Sequence, residues 1–134
     1  MSSPFFASFI PLRLLFVGVT VNAVVAQLLL RRALQGLGTP ESLSVLPRFV
    51  LNAALSPWIY ASVTLQIVGY VLWMLVVSRE KLGVAAASIG AGFYILMGLS
   101  AWLIYGETLS ALQWTGIVLV TIGVICISLG GVTL

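Results

Sequence analysis

The chain has no histidine, one cysteine and only nine formally charged side chains in 134 residues, six basic and three acidic. Each shortage excludes something. Without histidine and with three scattered carboxylates there is no ligand set for a metal ion, and none is expected. One cysteine rules out an internal disulfide. A soluble domain carries about 25% charged residues and 45–50% apolar ones, whereas here the shares are 7% and 61%. The same numbers exclude disorder, which needs low hydrophobicity and high net charge. A net charge of +3, without a basic stripe interleaved with aromatics, gives no reason to expect nucleic acid. What remains is a membrane protein.

The charges fall at Arg13, Arg31, Arg32, Glu41, Arg48, Arg79, Glu80, Lys81 and Glu107. Between them lie four long uncharged stretches. Because a helix of roughly 20 apolar residues crosses a hydrocarbon core of about 30 Å, the expectation is one all-α domain over 1–134, with four transmembrane helices at about 12–34, 58–78, 82–105 and 109–131. A soluble four-helix bundle would need polar outer faces that these stretches lack. Trp58 and Tyr60 at the start of the second stretch, and Trp102 and Tyr105 at the end of the third, stand where interfacial aromatics belong. The first apolar run ends in Leu-Leu-Leu-Arg31-Arg32 with no small-residue cleavage site, so it is read as a retained helix preceded by an interfacial lead of Phe5, Phe6 and Phe9.

Short links at Ser78–Lys81 and Gly106–Thr108 make antiparallel hairpins of the second and third helices and of the third and fourth. The first link, from Gln35 to Pro57, is much longer. Gly36, Gly38 and Pro40 end the first helix. Beyond them Leu43, Leu46, Phe49 or Val50, and Ala53 or Ala54 recur at helical spacing opposite Ser42, Ser44, Arg48 and Asn52. That pattern predicts a short helix on the membrane surface, with Pro47 as an imperfection; an irregular loop is the alternative. The positive-inside rule gives three basic residues on each side, so it assigns no orientation.

Polar residues inside the spans are the functional candidates, because burying them in hydrocarbon costs free energy unless they are satisfied. The first helix offers Asn22 and Gln27 near Thr20; the second offers Thr64, Gln66 and Tyr70, with Gln66, Tyr70 and Trp73 on one face; the third offers Ser88, Tyr94 and Ser100. Gln27 shares a face with Arg31, and Asn22 is turned from Gln27 by about 140°. Asn22, Gln27, Gln66 and Tyr70 are the candidate cavity residues. Interhelical hydrogen bonds, worth about 0.6 kcal/mol on average, are the alternative use for such side chains.

No span contains a carboxylate, which disfavours simple proton antiport of organic cations. Glu107, in a tight turn, is expected to cap the fourth helix. Gly116, Gly123 and Gly130 repeat every seven residues and form a seam for close helix approach, either within the chain or in a dimer. The third helix is rich in small residues from Gly83 to Gly92. There is no base, nucleophile elbow or phosphate loop, so no enzyme and no cofactor is expected; Cys126, in an apolar run, reads as an inert buried thiol.

The run Ser78-Arg-Glu-Lys-Leu-Gly-Val-Ala-Ala-Ala-Ser, then Gly106-Glu107-Thr108-Leu109-Ser110, Gln113-Trp114-Thr-Gly116-Ile and Ile122-Gly123-Val, resembles the drug/metabolite transporter superfamily. It is similar to the small four-helix branch, with the small multidrug resistance-like and EamA-like proteins and the paired subunits that flip aminoarabinose-phosphoundecaprenol. Gln27-Leu-Leu-Leu-Arg31 is similar to a glutamine-then-basic spacing in those flippase subunits. The multidrug exporters carry a glutamate in the first helix, where Val21-Asn22-Ala23-Val24 stands here, so the resemblance favours the lipid-carrier branch. It implies a multi-pass protein of the inner (plasma) membrane, a homodimer or heterodimer through the fourth helix, and a polyprenyl-phosphate-linked sugar as substrate. On that reading Arg31, Arg32 and Arg48 hold the lipid phosphate, with anchoring to anionic lipid as the plainer use of each arginine. Two other functions stay open: an exporter whose partner supplies the missing acid, and an accessory subunit of a glycosylation complex.

Overall fold

A computed structural model describes residues 11–132, which form five α-helices and no strand among them: α1 (Leu12–Leu34), α2 (Leu46–Ala54), α3 (Pro57–Val77), α4 (Leu82–Tyr105) and α5 (Ala111–Val132). The expected lead of Phe5, Phe6 and Phe9 lies outside the described residues. Helices α1, α3 and α4 have 23, 21 and 24 residues and are long and apolar enough to cross a membrane. The described apolar stretch of α5, Ala111–Ile127, is shorter. The described chain is thus all-helical, as a membrane bundle is, with three candidate spans.

Local chemistry sets the boundaries. Pro11 is extended at the start of α1, and after Gln35 the chain leaves the helix through Gly38 at φ 67°, a left-handed conformation suited to glycine. Pro57 opens α3 in its first turn, where its missing N–H is no loss. Pro47 does the same for α2, so it begins the surface helix rather than spoiling it. Leu46, Phe49, Val50 and Ala53 lie along one side of α2, and Arg48 and Asn52 along the other.

The fourth helix starts at Ala111 rather than residue 109, and its cap is not Glu107. Ser110 Oγ accepts from the Gln113 backbone N–H at 3.3 Å, and Gln113 Oε1 accepts from the Ser110 N–H at 2.7 Å. This reciprocal capping box satisfies two helix-end donors and leaves Glu107 available for another partner.

Helix α1 is the central element, in contact with both α3 and α4; α5 packs on α4, and α2 touches α3 only lightly. The tightest packing joins the start of α1 to the α3–α4 hairpin: Leu15, Val19, Val76 and Ala85 are buried, with Phe16, Leu72, Trp73 and Ile89 against them. Small residues set the close approaches. A β-carbon on Gly92 would stand 3.0 Å from Thr20 Cγ2, and one on Gly98 would stand 3.1 Å from Ile117 Cδ1. Between α1 and α3, Ser62 donates to the Ala26 carbonyl at 2.8 Å, and both residues are buried.

Among the described residues nothing packs against the seam of α5 at Gly116 or Gly123. The space where a β-carbon would stand on either is open. Cys126 is also exposed, against the expectation of a buried thiol, because α5 meets the rest of the chain on one side only.

Candidate translocation cavity and interfacial arginines

Asn22, Gln66 and Tyr70, three of the four cavity candidates, line one cavity of about 190 Å³ between α1 and α3, together with Val19, Ala23, Gly69 and Trp73. The face shared by Gln66, Tyr70 and Trp73 is what brings them to it. Asn22 is near the middle of α1 and Gln66 near the middle of α3, so this mostly apolar cavity carries its few polar groups half-way along the two helices. Asn22 Nδ2 donates to the Leu65 carbonyl at 2.8 Å, and Gly69 permits that approach. Gln66 and Tyr70 are exposed in the single chain.

Gln27 is half-buried and does not line this cavity; five residues from Asn22, it turns to another side of α1. Thr64 also stays outside, donating to the Tyr60 carbonyl within its own helix at 2.8 Å. A second groove of about 290 Å³ between α1 and α4 is mostly apolar, lined by Phe16, Val17, Val21 and Leu96, with Thr20 and Ser88 as its hydroxyls. Thr20 spends its hydroxyl hydrogen on the Phe16 carbonyl at 2.8 Å.

Arg13 and Arg79 belong to one end of the bundle, and Arg31, Arg32 and Arg48 to the other. The C-terminal ends of α1 and α4 and the N-terminal ends of α3 and α5 meet there, and α2 spans the link between α1 and α3. Arg31 Nη2 donates to Glu107 Oε1, and its guanidinium lies over the Tyr105 ring, 4.1 Å from the centroid. Tyr105 in turn donates to the Leu28 carbonyl at 3.3 Å. Arg32 stacks on Trp58 at 4.6 Å. Interfacial aromatics thus serve here as platforms for cations. Arg48 is exposed on α2.

Glu107 is brought to Arg31 by the end of α4. Gly106 adopts φ 64°, and this left-handed turn lets the Glu107 N–H fold back to the Ala101 carbonyl at 3.1 Å. The hydrogen bond from Arg31 holds the Glu107 carboxyl below the ordinary carboxylate range, against the opposing pull of partial desolvation, and the guanidinium charge adds to the lowering. Nothing local announces this pair, whose members are 76 residues apart in sequence.

Among the described residues no three His, Cys, Asp or Glu side chains gather as a metal site. No family model matches the chain, and no solved structure matches it. Among curated proteins, the chain is similar to a protein of Pseudomonas savastanoi pv. phaseolicola named as a probable 4-amino-4-deoxy-L-arabinose-phosphoundecaprenol flippase subunit ArnE. The two are 31% identical over 75 residues, 56% of this chain, and the matched stretch spans 65% of that relative's length.

Proposed function

We propose that the chain is a subunit of an inner-membrane translocase of the drug/metabolite transporter type, with four spanning helices, that moves a polyprenyl-phosphate-linked sugar across the bilayer. The observation that carries this reading is the pairing, on α1, of a cavity half-way along the helix, where Asn22, Gln66 and Tyr70 interrupt an apolar lining, with arginines at the helix end. Nine residues separate Asn22 from Arg31, about 13 Å along a helix. A lipid phosphate at the interface is met by Arg31, Arg32 and Arg48. The sugar passes Asn22, Gln66 and Tyr70, which offer hydrogen bonds without charge, and the isoprenoid tail stays in lipid. No bond is made or broken, so the protein acts as a carrier and not as an enzyme.

Exposed Gln66 and Tyr70 at half depth are costly in hydrocarbon unless water or another subunit covers them. The open seam at Gly116 and Gly123 suits close approach of a second copy or a homologous partner. The flippase-subunit name of the curated relative supports the same assignment.

Native mass spectrometry of the protein extracted in mild detergent tests both parts. The reading expects a dimer carrying a polyprenyl phosphate or its glycoside. A bare dimer that takes up no polyprenyl phosphate on addition favours an exporter whose partner supplies the acid absent from the described spans. Stable co-purification with a glycosyltransferase and no translocation points to an accessory subunit.

A further inference from the structure

Arg31 and Arg32 are neighbours with unequal partners. Both guanidiniums rest on aromatic rings, at 4.1 and 4.6 Å, but of the two it is Arg31 that forms an ion pair with a described residue. The pair is accessible: the Arg31 side chain is 39% exposed and that of Glu107 43%. It is also single-pronged, with one nitrogen donating to one oxygen, so it leaves most of the guanidinium's five donors unused. An anion that takes two of them in the planar fork binds better than this carboxylate does.

Each member of the pair has its own support. The Arg31 guanidinium is backed by Tyr105, which is tied to Leu28. Glu107 is anchored through its backbone to Ala101 by the Gly106 turn. If the carboxylate swings away, neither the turn nor the stacked arginine has to be rebuilt. A structural ion pair needs no such independence, whereas a site whose internal anion exchanges with an external one depends on it.

We propose that Glu107 is a resident counter-anion that occupies Arg31 until a phosphate headgroup displaces it. The inference rests on the lipid-phosphate reading above and adds its gate. A phosphate that takes Arg31 also enters the field of Arg32, whose charge no carboxylate offsets among the described ion pairs. Neutral headgroups lack the charge to evict Glu107, so the exchange selects for anionic lipid. The released carboxylate then stands beside the loaded site, and its return on departure of the phosphate resets it.

Equilibrium binding of radiolabelled undecaprenyl phosphate to the full chain in detergent micelles tests this, with undecaprenol and inorganic phosphate as competitors. Exchange predicts that Glu107→Gln binds undecaprenyl phosphate roughly threefold more tightly than the wild type, the scale of a released exposed ion pair. Glu107→Asp, one methylene shorter and still charged, gives a smaller gain in the same direction and covers the case in which the glutamine variant does not fold. Arg31→Gln binds roughly tenfold more weakly, and adding Glu107→Gln to it restores nothing. A purely structural pair predicts the opposite sign, with weaker binding when Glu107 is neutralised. Equal or weaker binding by both Glu107 variants, with the wild type still binding, overturns the exchange and leaves the lipid-phosphate reading standing. No binding by any form overturns both. Competition by inorganic phosphate as strong as that of the unlabelled lipid keeps the exchange and reassigns its anion to free phosphate.

Discussion

Asn22 reaches the Leu65 carbonyl across a glycine: its Nδ2 donates at 2.8 Å, and a β-carbon on Gly69 would stand 2.5 Å from that nitrogen. The amide that lines the cavity is thus also one of the groups that tie its two walls.

Gly69→Ala drives Asn22 off Leu65. The amide yields to the new methyl, so the cost is that of a part-buried amide left without its partner, about 1–3 kcal/mol, against a helix-propensity gain of about 1 kcal/mol. The expected outcome is a fall in the detergent unfolding midpoint. Asn22→Ala combined with Gly69→Ala falls less than the sum of the single changes, because the clash is gone; additive losses would show that the two residues do not meet.

Ser62 and Ala26 make the second α1–α3 tie, with Ser62 2% and Ala26 0% exposed. Ser62→Ala removes a bond worth about 0.6 kcal/mol and leaves packing intact. Ala26→Leu has no space to enter and costs several times more, by overpacking of about 1–3 kcal/mol or beyond. Unfolding titrations of the two variants check the order; comparable losses would place the packing elsewhere.

Much of this architecture is legible in the sequence because the signals are local. The helices expected at 12–34, 58–78 and 82–105 coincide with α1, α3 and α4 to within a residue, because proline and glycine breaks and the charged 78–81 link bound them even though Arg13, Arg31 and Arg32 fall inside α1. Period alone puts Gln66, Tyr70 and Trp73 on the face that lines the cavity, and separates Gln27 from Asn22. What escaped depends on tertiary partners. Glu107 reads as a helix cap until the bundle brings Arg31 to it. The true cap was readable, as Ser110 followed three residues later by Gln113, but the nearby carboxylate is the stronger electrostatic candidate for a helix N-terminus. Pro47 looks like a flaw in α2 until its place in the first turn is known. Exposure of Cys126 follows from the flanking position of α5, which composition does not encode.

The Arg31–Glu107 pair gives a pH dependence with a definite sign. Because the Glu107 carboxyl is held below its unfolded value, its contribution to stability is complete above the unfolded carboxylate pKa of about 4.3 and is lost as pH falls through the lower folded value. The unfolding midpoints of the wild type and Glu107→Gln should differ at pH 7 and converge in the acid range below about pH 4. A constant difference across that range would mean that the carboxylate charge is not what stabilises the fold.

Translocation itself is followed in proteoliposomes by the accessibility of a polyprenyl-phosphate-linked sugar to a membrane-impermeant oxidant. Transfer to the far leaflet is expected of the wild type, together with any subunit that purifies with it. None is expected of the Arg31→Gln, Arg32→Gln double variant inserted at the same level. Transfer by that variant at the wild-type rate would contradict the translocase reading.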